Sequence, residues 1–340
     1  MTKKRYIYID ILNCIAIFSV LMLHSSQIGH FGNPTSKITI LGNVIQCIFI
    51  PAVYIFFMNS GAMLLDYRKR QSTKTFVKKR TKRVLLPFIV WSFLYYLYDI
   101  KWTAFPGPIS HIHPSIKDFV QAFATNNINN IFWFFYVIIA IYLTLPIISL
   151  STEKHKKYLW YIVIISFILN DFTQWLGSLT NVSLNNKYLN SQLLNFLAYA
   201  IIGYLIKEKY FNRKQENLMI IIGLFAFALA ILGTLTGGRI KAISNIGPML
   251  YSVAIVLIVR RVTETHTFSV RTINLFKIAA SSSLGMYILH VLFYKVFSKI
   301  FNVGMTSLVY IFVMPVIVYI IGTPLIYLLK RNKWINTILP

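Results

Sequence analysis

The run Ile7-Tyr-Ile-Asp10-Ile-Leu-Asn13-Cys-Ile-Ala-Ile-Phe-Ser19-Val-Leu-Met-Leu-His24-Ser-Ser-Gln-Ile28 follows Lys3, Lys4 and Arg5, and its reading decides the fold. A bilayer core needs roughly 20 apolar helical residues. The run meets that length, exceeds a signal-peptide core, and is closed by no small-x-small cleavage site. It is read as a retained membrane span. Lipid offers no hydrogen bonds, so each spanning segment satisfies its own backbone as a helix.

Working outward, similar runs cover 41–65, 84–100, 131–150, 158–175, 191–206, 218–236, 244–260, 280–301 and 306–329, giving about ten spans. The third, sixth and eighth are short. None alternates with the two-residue period of a membrane barrel. Composition agrees: 56% of the 340 residues are hydrophobic and 13% are charged, where a soluble domain has about 25% charged. The predicted class is all-α, a polytopic membrane protein forming one integral domain over 1–340. No stretch is long enough for a separate soluble domain.

The net charge of +25 would suggest nucleic acid in a soluble chain. Its distribution says otherwise. With a cytoplasmic N-terminus, ten spans place 26 Lys or Arg in inner segments and 6 in outer ones. The inner set lies in 3–5, 66–83, 151–157, 207–217, 260–279 and 330–340; the outer set is Lys37, Lys101, Lys117, Lys187, Arg239 and Lys241. This split is what positive-inside orientation requires. Both termini are expected to be cytoplasmic, and no nucleic-acid partner is needed. The two cysteines, Cys14 and Cys47, lie in apolar runs without a metal-type cluster, so no metal site is expected. The longest outer loop, 101–130, holds Pro106, Gly107 and Pro108, and its C-terminal part is expected to form a short surface helix.

Polar groups inside spans are costly and mark bundle interiors or wet cavities. The first span carries Asp10, Asn13 and His24 on one helical stripe, with Asn13 and His24 separated by about 16 Å along the axis. Asp10 and His24 are thus too far apart for a direct dyad. The second span carries Asn59, Ser60 and Gly61, a pattern that also suits close packing of small residues. Arg80 and Arg83 stand three residues apart, one α-helical turn, within a basic segment suited to anionic lipid or to a phosphorylated ligand. Ser283, Tyr287, His290 and Tyr294 share one face of the ninth span. No Walker, GxSxG or HExxH motif occurs.

Together these stretches resemble the acyltransferase-3 family of membrane O-acyltransferases. Asp10 to Asn13 and then His24 is similar to the family's Asp-x-x-Arg followed after ten residues by His. Phe56-Phe-Met-Asn59-Ser60-Gly61 is similar to its Phe-Phe-x-x-Ser-Gly. Arg80-Thr-Lys-Arg83, then Pro87 and Trp91, is similar to its Arg-x-x-Arg block, and Ser283-Leu-Gly285-Met-Tyr287-Ile-Leu-His290 to its Ser-x-Gly-x-Tyr-x-x-His. Ile131-Phe-Trp133-Phe-Phe-Tyr136 to Pro146 resembles a looser stretch. The family arginine is Asn13 here, an amide that bonds but carries no charge.

The resemblance implies transfer of an acyl group, acetyl in the first instance, from acyl-CoA to a hydroxyl of a surface glycan or its lipid-linked precursor. It implies a bacterial plasma membrane and no bound cofactor, with acyl-CoA as co-substrate. It implies His24 as base or nucleophile, His290 and Tyr287 on the acceptor or oxyanion, and Arg80, Arg83, Asn13, Asn59 and Ser60 on the donor. A transporter or flippase of a lipid-linked sugar would share the intramembrane polar groups.

Overall fold

A computed structural model describes residues 5–102, 111, 113–152, 155–180, 182, 184, 190–236 and 247–340. Among them there is no strand. The helices are α1 (Ile7–Ser25), α2 (Ile28–Phe31), α3 (Lys37–Phe49), α4 (Pro51–Leu64), α5 (Thr73–Arg80), α6 (Leu86–Trp102), α7 (Ile116–Ala124) and α8 (Trp133–Ile148). Then follow α9 (Lys156–Phe167), α10 (Thr173–Thr180), α11 (Gln192–Lys207), α12 (Arg213–Leu235), α13 (Met249–Thr265), α14 (Val270–Phe301), α15 (Met314–Leu329) and α16 (Ile335–Ile338). The chain is an all-α polytopic membrane protein.

Among the described residues, eight helical stretches are long and apolar enough to cross a bilayer, and they fall on eight of the ten predicted spans. The other two are shorter: α11 has 16 residues and α13 has 17. Burial explains α11, because every residue from Leu197 to Ile206 is shielded by neighbouring helices. A helix packed inside protein need not match the lipid thickness. The expected beginning of the eighth span, the outer residues Lys187, Arg239 and Lys241, and Pro106, Gly107 and Pro108 lie outside the described residues.

The helix of the second span breaks at Ile50, and Pro51 occupies the first position of α4, where its missing N–H costs nothing. Two boundaries differ from expectation. The basic segment 66–83 is not all loop, since α5 continues through a π-helical turn, Thr81–Leu85, into α6. The ninth span begins ten residues early, and the 32 residues of α14 extend over about 48 Å, beyond a core of about 30 Å. The helix expected in the C-terminal part of the outer loop is present as α7.

One end of the bundle is stitched by ion pairs. Lys207 bonds Asp66 at 2.6 Å, Arg70 bonds the same carboxylate at 2.7 Å, Lys209 meets Glu264 at 3.1 Å, and Arg260 and Arg261 both hold Glu216. Lys156 reaches Glu208 at 3.3 Å, and Arg68 donates to Ser149 Oγ at 2.8 Å. Trp91 donates its indole N–H to Ile338 O at 2.8 Å, which brings the C-terminal segment to the inner part of α6. Segments that the charge alternation assigns to one side thus converge.

Gly61 and Gly203 set how closely α4 and α11 approach. A Cβ at Gly61 would lie 1.8 Å from Ala200 O, and one at Gly203 would lie 2.1 Å from Met58 O. Gly61 therefore serves packing, the small-residue use that its sequence also allowed. Another π turn, Val309–Val313, precedes α15; within it the Ile311 carbonyl accepts from Ser25 Oγ at 2.8 Å.

Candidate active site

The stripe on α1 becomes three stations. At its foot, Arg5 forks onto Asp10, with Nε to Oδ2 at 2.6 Å and Nη2 to Oδ1 at 2.9 Å. One turn up, Asn59 Nδ2 donates to Asn13 Oδ1 at 2.9 Å, joining α4 to α1. Ser60, the next residue on α4, is half-buried. Near the outer end, the rings of His24 and His290 meet with centroids 4.6 Å apart.

The helix ends and side chains around this ring pair fix its position. The last turn of α1 is tied on two sides: Gln46 on α3 donates to Leu23 O at 2.6 Å and to Ser26 Oγ at 2.9 Å, and Ser25 reaches Ile311 O. Opposite, Tyr294 donates to Leu21 O at 2.8 Å, which pins α14 to α1 one turn from His290. Tyr287 donates to Ile131 O at 2.5 Å. Its ring lies 5.8 Å from that of His290, but its hydroxyl proton is committed to the backbone.

His290 is fully buried, and its Nδ1 lies 2.7 Å from Tyr287 O and 3.3 Å from Met286 O. A carbonyl only accepts, so Nδ1 carries the proton and Nε2 keeps a lone pair. That Nε2 is buried without a hydrogen-bond partner. His24 is half-buried, with Nδ1 3.1 Å from the Gln27 side-chain nitrogen. Gln27 therefore selects the His24 tautomer: amide nitrogen towards the ring puts the proton on Nε2, and amide oxygen towards the ring puts it on Nδ1 and bares Nε2. The arrangement offers two facing imidazoles and one unpartnered lone pair, a device suited to taking and returning a proton.

Arg80 and Arg83 meet different neighbours. Arg80 is half-buried, its guanidinium 5.7 Å from the Tyr142 ring and 6.0 Å from Phe76. Arg83 is exposed and faces Lys330. Burial first, and then the Arg83 charge, hold the Lys330 ammonium below its ordinary value. The physical reason for the divergence is the π turn that starts at Thr81. Its wider i→i+5 winding breaks the α-helical spacing that would have set the two guanidiniums in register.

Sequence reasoning missed Gln27 and Gln46. Gln27 is three residues beyond His24, a helical-neighbour spacing that signals contact. Gln46 is an isolated amide in the apolar α3. Arg5 was counted only as a topology charge. Among the described residues no group of three or more His, Cys, Asp or Glu gathers as metal ligands do.

A family model described as an acyltransferase domain, of the acyltransferase-3 type, matches residues 6–329. The chain belongs to the acyltransferase-3 family. No curated protein and no solved structure matches it. The acyltransferase-3 match runs from the start of α1 through the end of α15, so it includes the His24–His290 pair, the Asn13–Asn59 bond and both arginines. An acyltransferase-3 protein is a membrane enzyme that transfers acyl groups, which favours catalysis over transport for the intramembrane polar residues.

Proposed function

We propose that the protein moves an acyl group, acetyl in the first instance, from acyl-CoA to a hydroxyl of a surface glycan or its lipid-linked precursor in a bacterial plasma membrane. The observation that carries this reading is the facing pair of His24 and His290 in the outer half of the bundle. The acceptor oxygen attacks the thioester carbonyl carbon while His24 Nε2, bared when the Gln27 amide oxygen is turned to Nδ1, takes its proton. The carbon–sulfur bond breaks, and the proton leaves with the coenzyme A thiolate. His290, with its proton held on Nδ1 by the Tyr287 carbonyl, stabilises and orients the neighbouring ring. Attack by His24 on the thioester itself, through an acyl-histidine, uses the same geometry.

Asn13 and Asn59 support a donor path from the inner end, since amides bond carbonyl and amide groups of a thioester arm. Arg83, exposed at the inner surface, takes a phosphate of the donor. Purified protein in detergent should release thiol from acetyl-CoA in an acceptor-dependent manner. Glycans from cells with and without the protein should differ by an acetyl group. If substrate instead enters vesicles without thiol release, the protein transports and the proposal fails.

A further inference from the structure

At the inner end, a cavity of about 350 Å3 lies between the foot of α1, the end of α13 and the beginning of α14. Arg5, Asp10, Thr263, His266, Phe268 and Lys277 line it. Its size falls within the range of small-molecule sites, about 300–1,000 Å3. Its chemistry is directional. Arg5 is clamped by Asp10 through Nε and Nη2, so its guanidinium is held at the wall rather than swinging free. Asp10 offsets one positive charge. Among the described residues, Lys277 has a single long bond, to Asn274 at 3.5 Å, and pairs with no carboxylate of the lining. The site is therefore net cationic at neutral pH even with His266 uncharged.

Beside these cations stand two rings. His266 and Phe268 pack edge to face with centroids 4.9 Å apart, and Phe268 is half-buried against Phe276 at 6.1 Å. A fixed aromatic face next to a cationic wall is the arrangement that holds a planar base together with its phosphates. A bare phosphate or a lipid headgroup would use the cations and leave the rings unused. The cavity also adjoins the route already described: Cys14, next to Asn13, lies 3.8 Å from Phe276 O, and Phe276 precedes Lys277.

We propose that this cavity is a nucleotide site, taking a phosphorylated adenine nucleotide with the base on Phe268 and His266 and the phosphates on Lys277 and Arg5. The inference rests on the acyl-CoA reading for its physiological ligand, which would place the adenine end of the donor here and leave another of its phosphates to Arg83.

The test is calorimetric binding of adenosine 3′,5′-bisphosphate to the full chain in neutral detergent, with inorganic pyrophosphate, adenosine and phosphatidylglycerol as separate arms. Saturable binding of the bisphosphate is expected, with affinity at least tenfold above pyrophosphate. Lys277→Ala and Phe268→Ala should each weaken it about tenfold, equivalent to about 1.4 kcal/mol. Lys277→Arg should restore it, and His24→Ala should leave it unchanged. Phe268→Leu checks that a loss reflects stacking rather than a collapsed wall: it should fold with an unchanged thermal midpoint and still bind weakly. Absence of binding overturns the proposal, as does binding moved by Arg80→Ala or Arg83→Ala but not by Lys277→Ala. Competition by phosphatidylglycerol at equal concentration assigns the cations to a headgroup and also overturns it. Binding without acyl transfer leaves this site standing and removes the proposed function. Acyl transfer from a donor indifferent to Lys277 does the reverse.

Discussion

At the outer end of α1, two histidines from distant parts of the chain meet ring to ring under ties from tyrosine, serine and glutamine side chains to backbone carbonyls. At the inner end, two arginines only three residues apart turn to different neighbours. The outer pair sits on regular α-helix, where 3.6 residues per turn carries a stripe faithfully over about four turns. The inner pair runs into a π turn, where the same spacing no longer describes a face. Nearness in sequence is thus a poor guide to shared function when helical winding changes between the residues. The two regions also differ in what holds them: hydroxyl and amide bonds to carbonyls around the histidine pair, ion pairs at the inner end.

This contrast can be broken most directly at the outer pair. His24→Ala should lower acceptor-dependent thiol release by about 10²–10⁴-fold, the range for loss of a positioned acid–base group, while the purified protein keeps its thermal midpoint. A residual rate near the wild-type value would remove the pair from the chemistry. Gln27→Leu, which erases the tautomer selector, should lower kcat about tenfold with the donor KM unchanged, consistent with about 1.4 kcal/mol in the barrier. A change in KM alone would instead make Gln27 a binding residue.

The arginines sharpen the inner half. Arg83→Ala should raise the apparent donor KM severalfold. Arg80→Ala should mainly lower the thermal midpoint, since about 0.5–2 kcal/mol of cation–π contact is lost. Equal KM effects from both would restore them as one phosphate fork. The smallest expected effect tests the ion-pair stitching. Burial pushes the Glu208 carboxyl upwards, but Lys207 and Lys156 outweigh it and hold the group below its ordinary value, about 4.5. A depressed carboxylate contributes stability above its unfolded value and loses it as pH falls through the folded one. The wild-type midpoint should therefore drop on acidification below about pH 4.5 by slightly more than that of Glu208→Gln. Parallel curves would show that Glu208 contributes nothing.

Much of the architecture was legible in residue order because lipid imposes a length and a periodicity that few soluble folds share. Asp10, Asn13 and His24 could be placed on one stripe, and the structure keeps them there. What could not be read were partnerships made across helices. Nothing near Asn13 announces Asn59 as its mate, and nothing near Asp10 marks Arg5 as more than a topology charge. Tyr287 and Tyr294 share a face with His290, yet each hydroxyl is taken by a backbone carbonyl of another segment, Ile131 or Leu21. The short α11 differs from the others because protein, not lipid, surrounds it.

The winding of Val309–Val313 has a consequence for how this chain tolerates change in length. A π turn is an α-helix carrying one surplus residue. Deleting one position there would return the coil to regular α-helix and leave Met314, Val318, Gly322 and Ile326 as a single inward ridge. The same deletion further along, in regular helix, would swing everything beyond it by about 100° and turn that wall towards the acyl chains of the membrane. The turn is thus a place where this wall absorbs a change in length.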